Sequence, residues 1–258
     1  MIALLKTSER TNNISHINNY VFQRHLFAYQ HILKKHFMDR QVLELGCGEG
    51  YGMELLSPHV ETYVAVDKKR PSQVTFNNQV LFKHCHLPLL AGIEDNSFDT
   101  VICFQVIEHI DNDGRLLQEI KRVLKPGGSL FLTTPNQLTS LTRNPFHIRE
   151  YQPAQIKALI ARHFNTLTVQ GIYGNHRVMQ YYHENKKAVE RIARYDVFDL
   201  QYRLPAFLLK GIYSLLNNYN RFTLASKTPD ITASINYNDF YIDGLSENCL
   251  DYFVKATK

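Results

Sequence analysis

The segment 42–52, Val-Leu-Glu-Leu-Gly-Cys-Gly-Glu-Gly-Tyr-Gly, runs from an apolar, strand-forming stretch directly into four glycines in seven residues. Glycine adopts backbone conformations that side chains forbid, and it leaves room for a polar small molecule to approach the loop closely. An acidic residue, Asp67, closes the next apolar run, 62–66. Dinucleotide-type folds place a ribose-binding carboxylate at about this spacing. The pattern therefore predicts a strand–loop–helix unit that cradles a cofactor.

The other apolar runs of the chain alternate with helical patterns. Strands are predicted at 41–45, 62–66, 79–82, 100–104, 129–133, 166–172 and 249–256. Residues at helical spacing predict a first helix over 17–37 and further helices between the strands. This alternation is typical of an α/β fold with a doubly wound, Rossmann-like, seven-stranded sheet, whose site lies at the carboxyl ends of the strands.

Composition along the chain predicts its organisation. We expect an N-terminal helix and lid over 1–40 and a core formed by 41–174 and 244–258. The stretch 175–243 is rich in Tyr, Asn and Arg, with helical patterns within it. Because its composition differs from that of the alternating core, we interpret it as a helical, substrate-binding cap inserted before the last strand.

The overall composition limits the classes of function. The 258 residues are 44% hydrophobic and 21% charged, with a net charge of +5, and no apolar run approaches the ~20 residues that cross a membrane. The four cysteines lack paired spacing, which predicts reduced thiols in a cytoplasmic protein. Without a long basic run or zinc-finger signature we expect no DNA partner. The apolar segment 204–216 is predicted to pack on the core, with peripheral membrane contact as the alternative; the oligomeric state stays open.

The spacing of the glycines separates two kinds of cofactor. A dinucleotide loop has the pattern Gly-x-Gly-x-x-Gly, whereas here Glu44 precedes Gly46, Gly48 and Gly50 at alternate positions. S-adenosylmethionine has no pyrophosphate to seat, but it carries an amino-acid end and a ribose. Glu44 would orient the loop or reach the ammonium group of that ligand, and Asp67 would accept both ribose hydroxyls.

Two further motifs follow in order along the chain. Residues 96–104, Asn-Ser-Phe-Asp-Thr-Val-Ile-Cys-Phe, and 122–136, Arg-Val-Leu-Lys-Pro-Gly-Gly-Ser-Leu-Phe-Leu-Thr-Thr-Pro-Asn, resemble the fourth- and fifth-strand motifs of class I S-adenosylmethionine-dependent methyltransferases. The resemblance spans about residues 10–172 and the last strand. It implies S-adenosylmethionine as methyl donor and S-adenosylhomocysteine as product. The cofactor contacts that it implies are Glu44, Gly46, Cys47, Gly48, Gly50, Tyr51, Asp67 and Gln105.

One stretch departs from the family pattern. Such enzymes often hold the adenine amino group with an acid after the third strand, but residues 84–87 here read His-Cys-His-Leu. Adenine recognition would then fall to His86, Leu87 or the backbone. The two histidines also resemble metal ligands, but without a second cluster a strand-end loop is the better interpretation.

A hydroxyl acceptor must lose its proton, so methyl transfer to oxygen needs a base or a Lewis acid. A helical turn after the fourth strand would put Gln105, Glu108 and His109 on one face, looking into the cofactor cleft. His147 follows the fifth strand, in a segment that should overhang the same cleft. His109 and His147 are therefore the candidate catalytic residues. The alternatives are that His109 packs beneath the turn and that His147 belongs to a substrate loop.

The same residues raise the question of a metal. In the quinone-pathway O-methyltransferases and small-RNA 2′-O-methyltransferases, which this chain resembles more distantly, a Glu-x-x-Glu-His turn binds a divalent metal. Carried over, Glu108, His109 and His147 would be ligands. Gln105 replaces the first glutamate, and a neutral amide is a weaker ligand. We therefore expect no metal.

The acceptor is the least constrained part of the prediction. Residues 144–151 and 19–28 resemble bacterial methyltransferases associated with cell-surface glycan synthesis. We predict O-methylation of a small-molecule, glycan or lipid-linked acceptor. The alternatives are an RNA 2′-O-methyltransferase, which the lack of a basic stripe disfavours, and a non-catalytic cofactor-binding protein, which the intact glycines disfavour. A dehydrogenase is the least favoured alternative, because the glycine spacing does not match the dinucleotide-binding pattern.

Overall fold

The computed structural model describes residues 18–36, 40–72, 74–194, 196, 200–227 and 229–258. Its strands are β1 (Gln41–Leu45), β2 (Thr62–Asp67), β3 (Val80–His84), β4 (Phe98–Phe104), β5 (Leu124–Pro135), β6 (Thr166–Gly174), β7 (Phe240–Asp243) and β8 (Asp251–Thr257). Its helices are α1 (Asn19–His36), α2 (Tyr51–Leu56), α3 (Asp113–Val123), α4 (Pro153–Ala161), α5 (His176–Ala193), α6 (Leu200–Arg203), α7 (Ala206–Lys227) and α8 (Pro229–Ser234). The part of the N-terminal lid expected at 1–17 lies outside the described residues.

The described strands form one mixed sheet in the order β3-β2-β1-β4-β5-β8-β6-β7. The first five strands are parallel, β8 lies antiparallel between β5 and β6, and β7 pairs antiparallel with β6. The carboxyl ends of β1, β2, β4 and β5 therefore meet at one edge of the sheet. This edge brings the glycine loop, Asp67 and Gln105 together.

Helices cover both faces of the sheet, as a doubly wound fold requires. The apolar stripe of α3 is buried against one face, with Leu116, Leu117, Ile120 and Val123 each inaccessible to solvent. The other face carries α1, α2 and parts of α5 and α7. The α/β, Rossmann-like fold class predicted from the sequence is confirmed.

The sheet has eight strands where the sequence predicted seven. The additional strand, β7, is four residues long and lies within the stretch expected to be all helical cap. It pairs Ile242 with Ile172 and Asp243 with Gly171 at the edge of the sheet. So short a run of Phe-Tyr-Ile-Asp shows no period of its own, and pairing with β6 defines it as a strand.

The segment 204–216 was predicted to pack on the core, but none of its residues is buried, and the Tyr213 ring on one face of α7 packs against Phe146 at the cavity. Phe207, Ile212 and Leu215 on the other face of α7 are more than half exposed. Helical periodicity explains the difference, because a helix covering a polar cavity presents its opposite side to solvent. Among the residues that the structure describes, no helix combines the length and apolar character needed to cross a membrane.

Candidate active site

The glycine loop is held against β2 and opens toward the edge of the sheet. The Gly46 amide donates to the Val66 carbonyl at 2.7 Å, and Gly46, Gly48 and Gly50 have positive φ values of 70°, 56° and 90°. A Cβ on Gly46 would lie 2.5 Å from a methyl carbon of Val106, whereas a Cβ on Gly48 would meet no atom of the described residues, its chain neighbours apart, within 4 Å. Gly48 therefore borders open space that suits a closely seated ligand.

Asp67 stands beside this open space with its carboxylate fixed. Its Oδ2 atom accepts the Gly48 amide and its Oδ1 atom accepts the Lys69 amide, each at 2.9 Å. Two such oxygens match the adjacent hydroxyls of a ribose. The loop and Asp67 thus fit S-adenosylmethionine.

Glu44 acts behind the loop. Its side chain is fully buried and accepts hydrogen bonds from the Tyr29 hydroxyl at 2.6 Å and the Tyr63 hydroxyl at 3.0 Å. Burial raises the pKa of Glu44 to about 7, against the lowering effect of the two hydroxyls. Of the two roles expected for Glu44, this geometry favours orientation of the loop over contact with an ammonium group.

Two neighbouring loop residues also face the protein interior. Cys47 is buried, and the Tyr51 ring packs edge-on against Phe22 and Tyr29 of α1. The Tyr51 hydroxyl lies 3.4 Å from Nδ1 of His25. The Tyr51 side chain thus connects the start of α2 to α1.

The stretch 84–87 leaves β3 at the same edge of the sheet. His84 is in register with Asp67, and the Cys85 amide donates to the Asp67 carbonyl at 3.1 Å. This position beside the ribose-side carboxylate suits the adenine-binding role that the sequence left open among His86, Leu87 and the backbone.

The turn after β4 carries three of the predicted site residues. Gln105 has φ 54°, a conformation that costs a non-glycine residue energy and is found most often at functional sites. Its amide donates to the Thr133 carbonyl at 2.9 Å, and a 3₁₀ turn follows at Ile107–His109. Gln105, Glu108 and His109 line one cavity of about 230 Å³. The turn is tighter than the expected α-helical turn, but it presents these three side chains together.

The cavity is closed by α1, α5, α7 and the segment 139–150. Its wall is polar and aromatic, and includes Tyr20, Arg24, Tyr181, Asn185, Tyr213 and Arg221. Because α5 and α7 supply many of these groups, the stretch 175–243 contributes directly to the space beside the predicted catalytic residues.

His109 and His147 meet in this cavity, with ring centroids 4.8 Å apart and planes at 83°. Nδ1 of His109 lies 2.9 Å from the Phe146 carbonyl oxygen. A carbonyl only accepts, so Nδ1 carries the proton in the neutral ring and Nε2 holds the lone pair. His109 is thus oriented as a proton acceptor at Nε2.

His147 is held by two polar neighbours. Nδ1 lies 2.6 Å from Oε1 of Glu150, and the Asn144 amide nitrogen lies 2.9 Å from Nε2. Burial disfavours the charged ring, but the hydrogen bond to Glu150 and the charge of Glu108 outweigh it and raise the pKa of His147 above 6.5. His147 is therefore readily protonated, and in its neutral form Nε2 is already engaged.

Glu108 completes a potential metal-binding group. One ligand atom each from Glu108, His109 and His147 lie within 4.8 Å of one another. Glu108 is 1% exposed, and its Oε2 accepts the Thr134 hydroxyl at 3.0 Å. Its Oε1 has no hydrogen-bond partner among the described residues. The three residues that the sequence named for a metal thus lie together.

Sequence reasoning missed a buried ion pair and the partner of His147. Arg24 of α1 lies 3.1 Å from Asp251 of β8, and burial raises the pKa of Asp251 to about 6 although Arg24 opposes the shift. Glu150, which binds His147, also binds the Ser140 hydroxyl. No local pattern in the sequence marks this pair, because Arg24 and Asp251 are far apart in the chain and only the fold brings them together.

The comparisons with known proteins identify the family of this chain. The sequence model of a methyltransferase domain family matches residues 17–188. A probable S-adenosylmethionine-dependent methyltransferase of Mycolicibacterium smegmatis is 36% identical over 166 residues, which cover 61% of this chain and 64% of that protein. The mitochondrial ubiquinone biosynthesis O-methyltransferase of Rattus norvegicus is 29% identical over 107 residues, which cover 38% of this chain and 31% of that protein. The chain thus spans less than two thirds of the length of these curated relatives.

A solved structure shows the same fold. A methyltransferase of Thermotoga maritima, described as a possible histamine N-methyltransferase, aligns with a TM-score of 0.55 over 94% of this chain and 99% of its own. The two sequences are 16% identical, so this likeness concerns the fold alone.

Proposed function

The chain belongs to the family of class I S-adenosylmethionine-dependent methyltransferases, and we propose that it transfers a methyl group to a hydroxyl oxygen of a polar acceptor, such as a glycan, in the cavity beside His109. The observation that carries this proposal is the tautomer of His109. Its Nδ1 proton is committed to the Phe146 carbonyl, so Nε2 holds a lone pair that would accept the proton of an acceptor hydroxyl.

The glycine loop and Asp67 would hold the cofactor. S-adenosylmethionine, when bound, supplies an electrophilic methyl group on its sulfonium. Gly48 provides a close approach, and Asp67 accepts the two ribose hydroxyls through oxygens that the Gly48 and Lys69 amides already fix. Gln105, directly after β4, lines the cavity, and the next residue, Val106, lies against Gly46 of the glycine loop. The strained backbone of Gln105 would aim its amide at the junction of cofactor and acceptor.

The protein's own residues then promote an in-line displacement. The cavity orients the acceptor hydroxyl, which supplies much of the catalysis in a reaction of this type. Nε2 of His109 takes the hydroxyl proton as the new oxygen–carbon bond forms and the sulfur–carbon bond breaks. The products are the methyl ether, S-adenosylhomocysteine and a protonated His109. The carboxylate of Glu108 and the Phe146 carbonyl would stabilise that imidazolium.

The lining of the cavity supports a polyhydroxylated acceptor. Tyrosine rings offer flat apolar surfaces with a polar tip, and asparagine amides both donate and accept hydrogen bonds. Tyr181, Asn185 and Tyr213 come from α5 and α7, which we propose as the substrate-binding cap. The name of the rat relative, an O-methyltransferase, also supports oxygen as the acceptor atom.

The test is His109→Gln, measured in two assays. Loss of a general base lowers the rate by about 10²- to 10⁴-fold, so methyl transfer to the acceptor should fall by that factor. S-adenosylhomocysteine should bind His109→Gln with unchanged Kd, because His109 is placed on the acceptor side. His147→Gln is the matched control, and we expect a smaller loss from it because its Nε2 already accepts from Asn144. Full activity of His109→Gln would contradict the proposal.

One observation favours a second route for removing the proton. Oε1 of Glu108 is buried and has no partner among the described residues, beside two imidazoles. This set would suit a divalent metal that acts as Lewis acid on the acceptor oxygen. The two routes differ in their response to chelation.

A further inference from the structure

Helix α7 has two faces with opposite character. One face lines the cavity through Tyr213, Asn217, Asn220 and Arg221. The other face is apolar and open, with side chains between 44% and 74% exposed: Phe207, Leu208, Ile212, Leu215, Leu216, Tyr219 and Phe222. These seven are more than half of the twelve exposed large hydrophobic residues in the described part of the chain. They form a patch rather than the scattered surface residues of an ordinary monomer.

The apolar residues of α7 lie in one stripe. At about 100° per residue, these positions all fall within one half of the helix surface over a length of roughly 22 Å. We name this surface, formed by the seven residues above, the α7 stripe. A stripe of this length on a helix without any acidic residue is typical of helices that lie flat in a membrane interface.

The charge of the chain is concentrated around this helix. Residues 186–227 contain 8 Lys and Arg against 3 Asp and Glu, and the rest of the chain has 21 of each. This segment therefore accounts for the whole net charge of +5. Lys186, Lys187, Arg191 and Arg194 are exposed on α5, which packs against α7 and is tied to it by the 2.7 Å hydrogen bond from Asn220 to Asn185.

We propose that the α7 stripe docks this protein on an anionic lipid bilayer, with the basic residues of α5 at the headgroups. Apolar side chains enter the boundary of the acyl chains, while each Lys or Arg near the surface adds about 1 kcal/mol of attraction to anionic lipid. A second copy of the chain fits this surface less well, because two copies of a segment with net charge +5 would face each other.

The helix that carries the α7 stripe also contacts the site directly through two other residues. The Lys210 ammonium lies 5.2 Å from the centre of the Phe146 ring, and the Tyr213 ring packs edge-on against it at 6.3 Å. The Phe146 carbonyl is the group that fixes His109. Docking would therefore hold α7, one wall of the cavity, at the membrane surface, and, if the proposed function holds, the acceptor is attached to a lipid.

Vesicle binding tests this proposal. Sedimentation with phosphatidylcholine vesicles, with and without phosphatidylglycerol, measures the affinity of wild type and of I212Q/L215Q/F222Q. The control L81Q/Y241Q removes two exposed apolar side chains from the edge strands β3 and β7. We expect wild type and control to bind the anionic vesicles alike, and the triple variant to bind at least about tenfold more weakly. K186Q/K187Q should weaken binding to anionic vesicles but not to vesicles of phosphatidylcholine alone. Added salt should have the same effect.

Three results would overturn the proposal. These are failure of wild type to bind anionic vesicles, equal binding by the triple variant, and self-association in solution that the triple variant abolishes. The Kd for S-adenosylhomocysteine is measured on the same samples. A protein that binds S-adenosylhomocysteine but not vesicles contradicts the docking and leaves the proposed function standing.

Discussion

A methyl group added to Gly48 tests whether the open space beside the glycine loop is the cofactor site. Gly48→Ala places a Cβ where no atom of the described residues, its chain neighbours apart, lies within 4 Å, at φ 56°. Gly127→Ala does the same at φ 78° near the amino end of β5, at the opposite edge of the sheet. Each variant carries the cost of alanine in the left-handed region, roughly 1–2 kcal/mol. Both should therefore lose about 2–8 °C in Tm.

The two variants should differ in cofactor binding. A methyl group forced against a bound ligand costs roughly 1–3 kcal/mol, which raises the Kd of Gly48→Ala for S-adenosylhomocysteine by about 5- to 150-fold. Gly127→Ala should bind like wild type. Isothermal titration calorimetry gives the affinities and scanning calorimetry gives the Tm. If Gly48→Ala binds S-adenosylhomocysteine as tightly as Gly127→Ala does, the placement of the cofactor is wrong.

Three further predictions concern charge. Burial raises the pKa of Glu44 from 4.5 to about 7, so the folded state holds this proton more tightly than the unfolded chain. Wild type should lose about 3 kcal/mol of stability from this group as pH rises across that range, whereas Glu44→Gln should not. Urea titrations of the two proteins that show the same pH dependence of stability would disprove this. The raised pKa of His147 stabilises the fold below pH 6.5, and this contribution is lost as pH rises through the folded-state pKa; an NMR titration that puts the pKa of His147 below 6.5 would contradict it. Finally, chelation should leave methyl transfer unchanged, and a loss that added Mg²⁺ or Mn²⁺ restores in wild type but not in Glu108→Gln would favour the metal route.

Local patterns in the sequence predicted most of the fold. The strands β1 to β4, β6 and β8 lie within two residues of their predicted bounds, because each is an apolar run long enough to show its own period. Strand β5 begins five residues before its predicted start, at Leu124. The glycine loop and Asp67 were also predictable, since a positive φ and a close approach leave a direct mark on residue type. The short strand β7 had no such mark, because its pairing with β6 defines it.

The wall of the candidate site could not be predicted, because its contacts span the chain. Arg24 and Asp251 form an ion pair across 227 residues, and neither has a local partner that reveals it. Glu44 shows a complementary case. The sequence left two roles open for this residue of β1, and only its burial in the fold favours orientation of the loop. Its contacts with Tyr29 and Tyr63 depend on how α1 and β2 pack around it.

The sequence also did not determine which side of α7 would be exposed. An apolar run is compatible with burial or with an open face, and hydrophobic content alone does not distinguish the two. The orientation of α7 is determined by the polar groups that it turns toward the cavity, among them Asn220 and Arg221.

The most direct measurement of the central claim is the transfer of labelled methyl from S-adenosylmethionine to fractions of native cell extract, followed by identification of the labelled product. We predict label in an ether on a hydroxyl-bearing acceptor with wild-type protein and a loss of about 10²- to 10⁴-fold with His109→Gln. Label on nitrogen or carbon, or equal labelling by His109→Gln, would contradict methyl transfer to oxygen by this site.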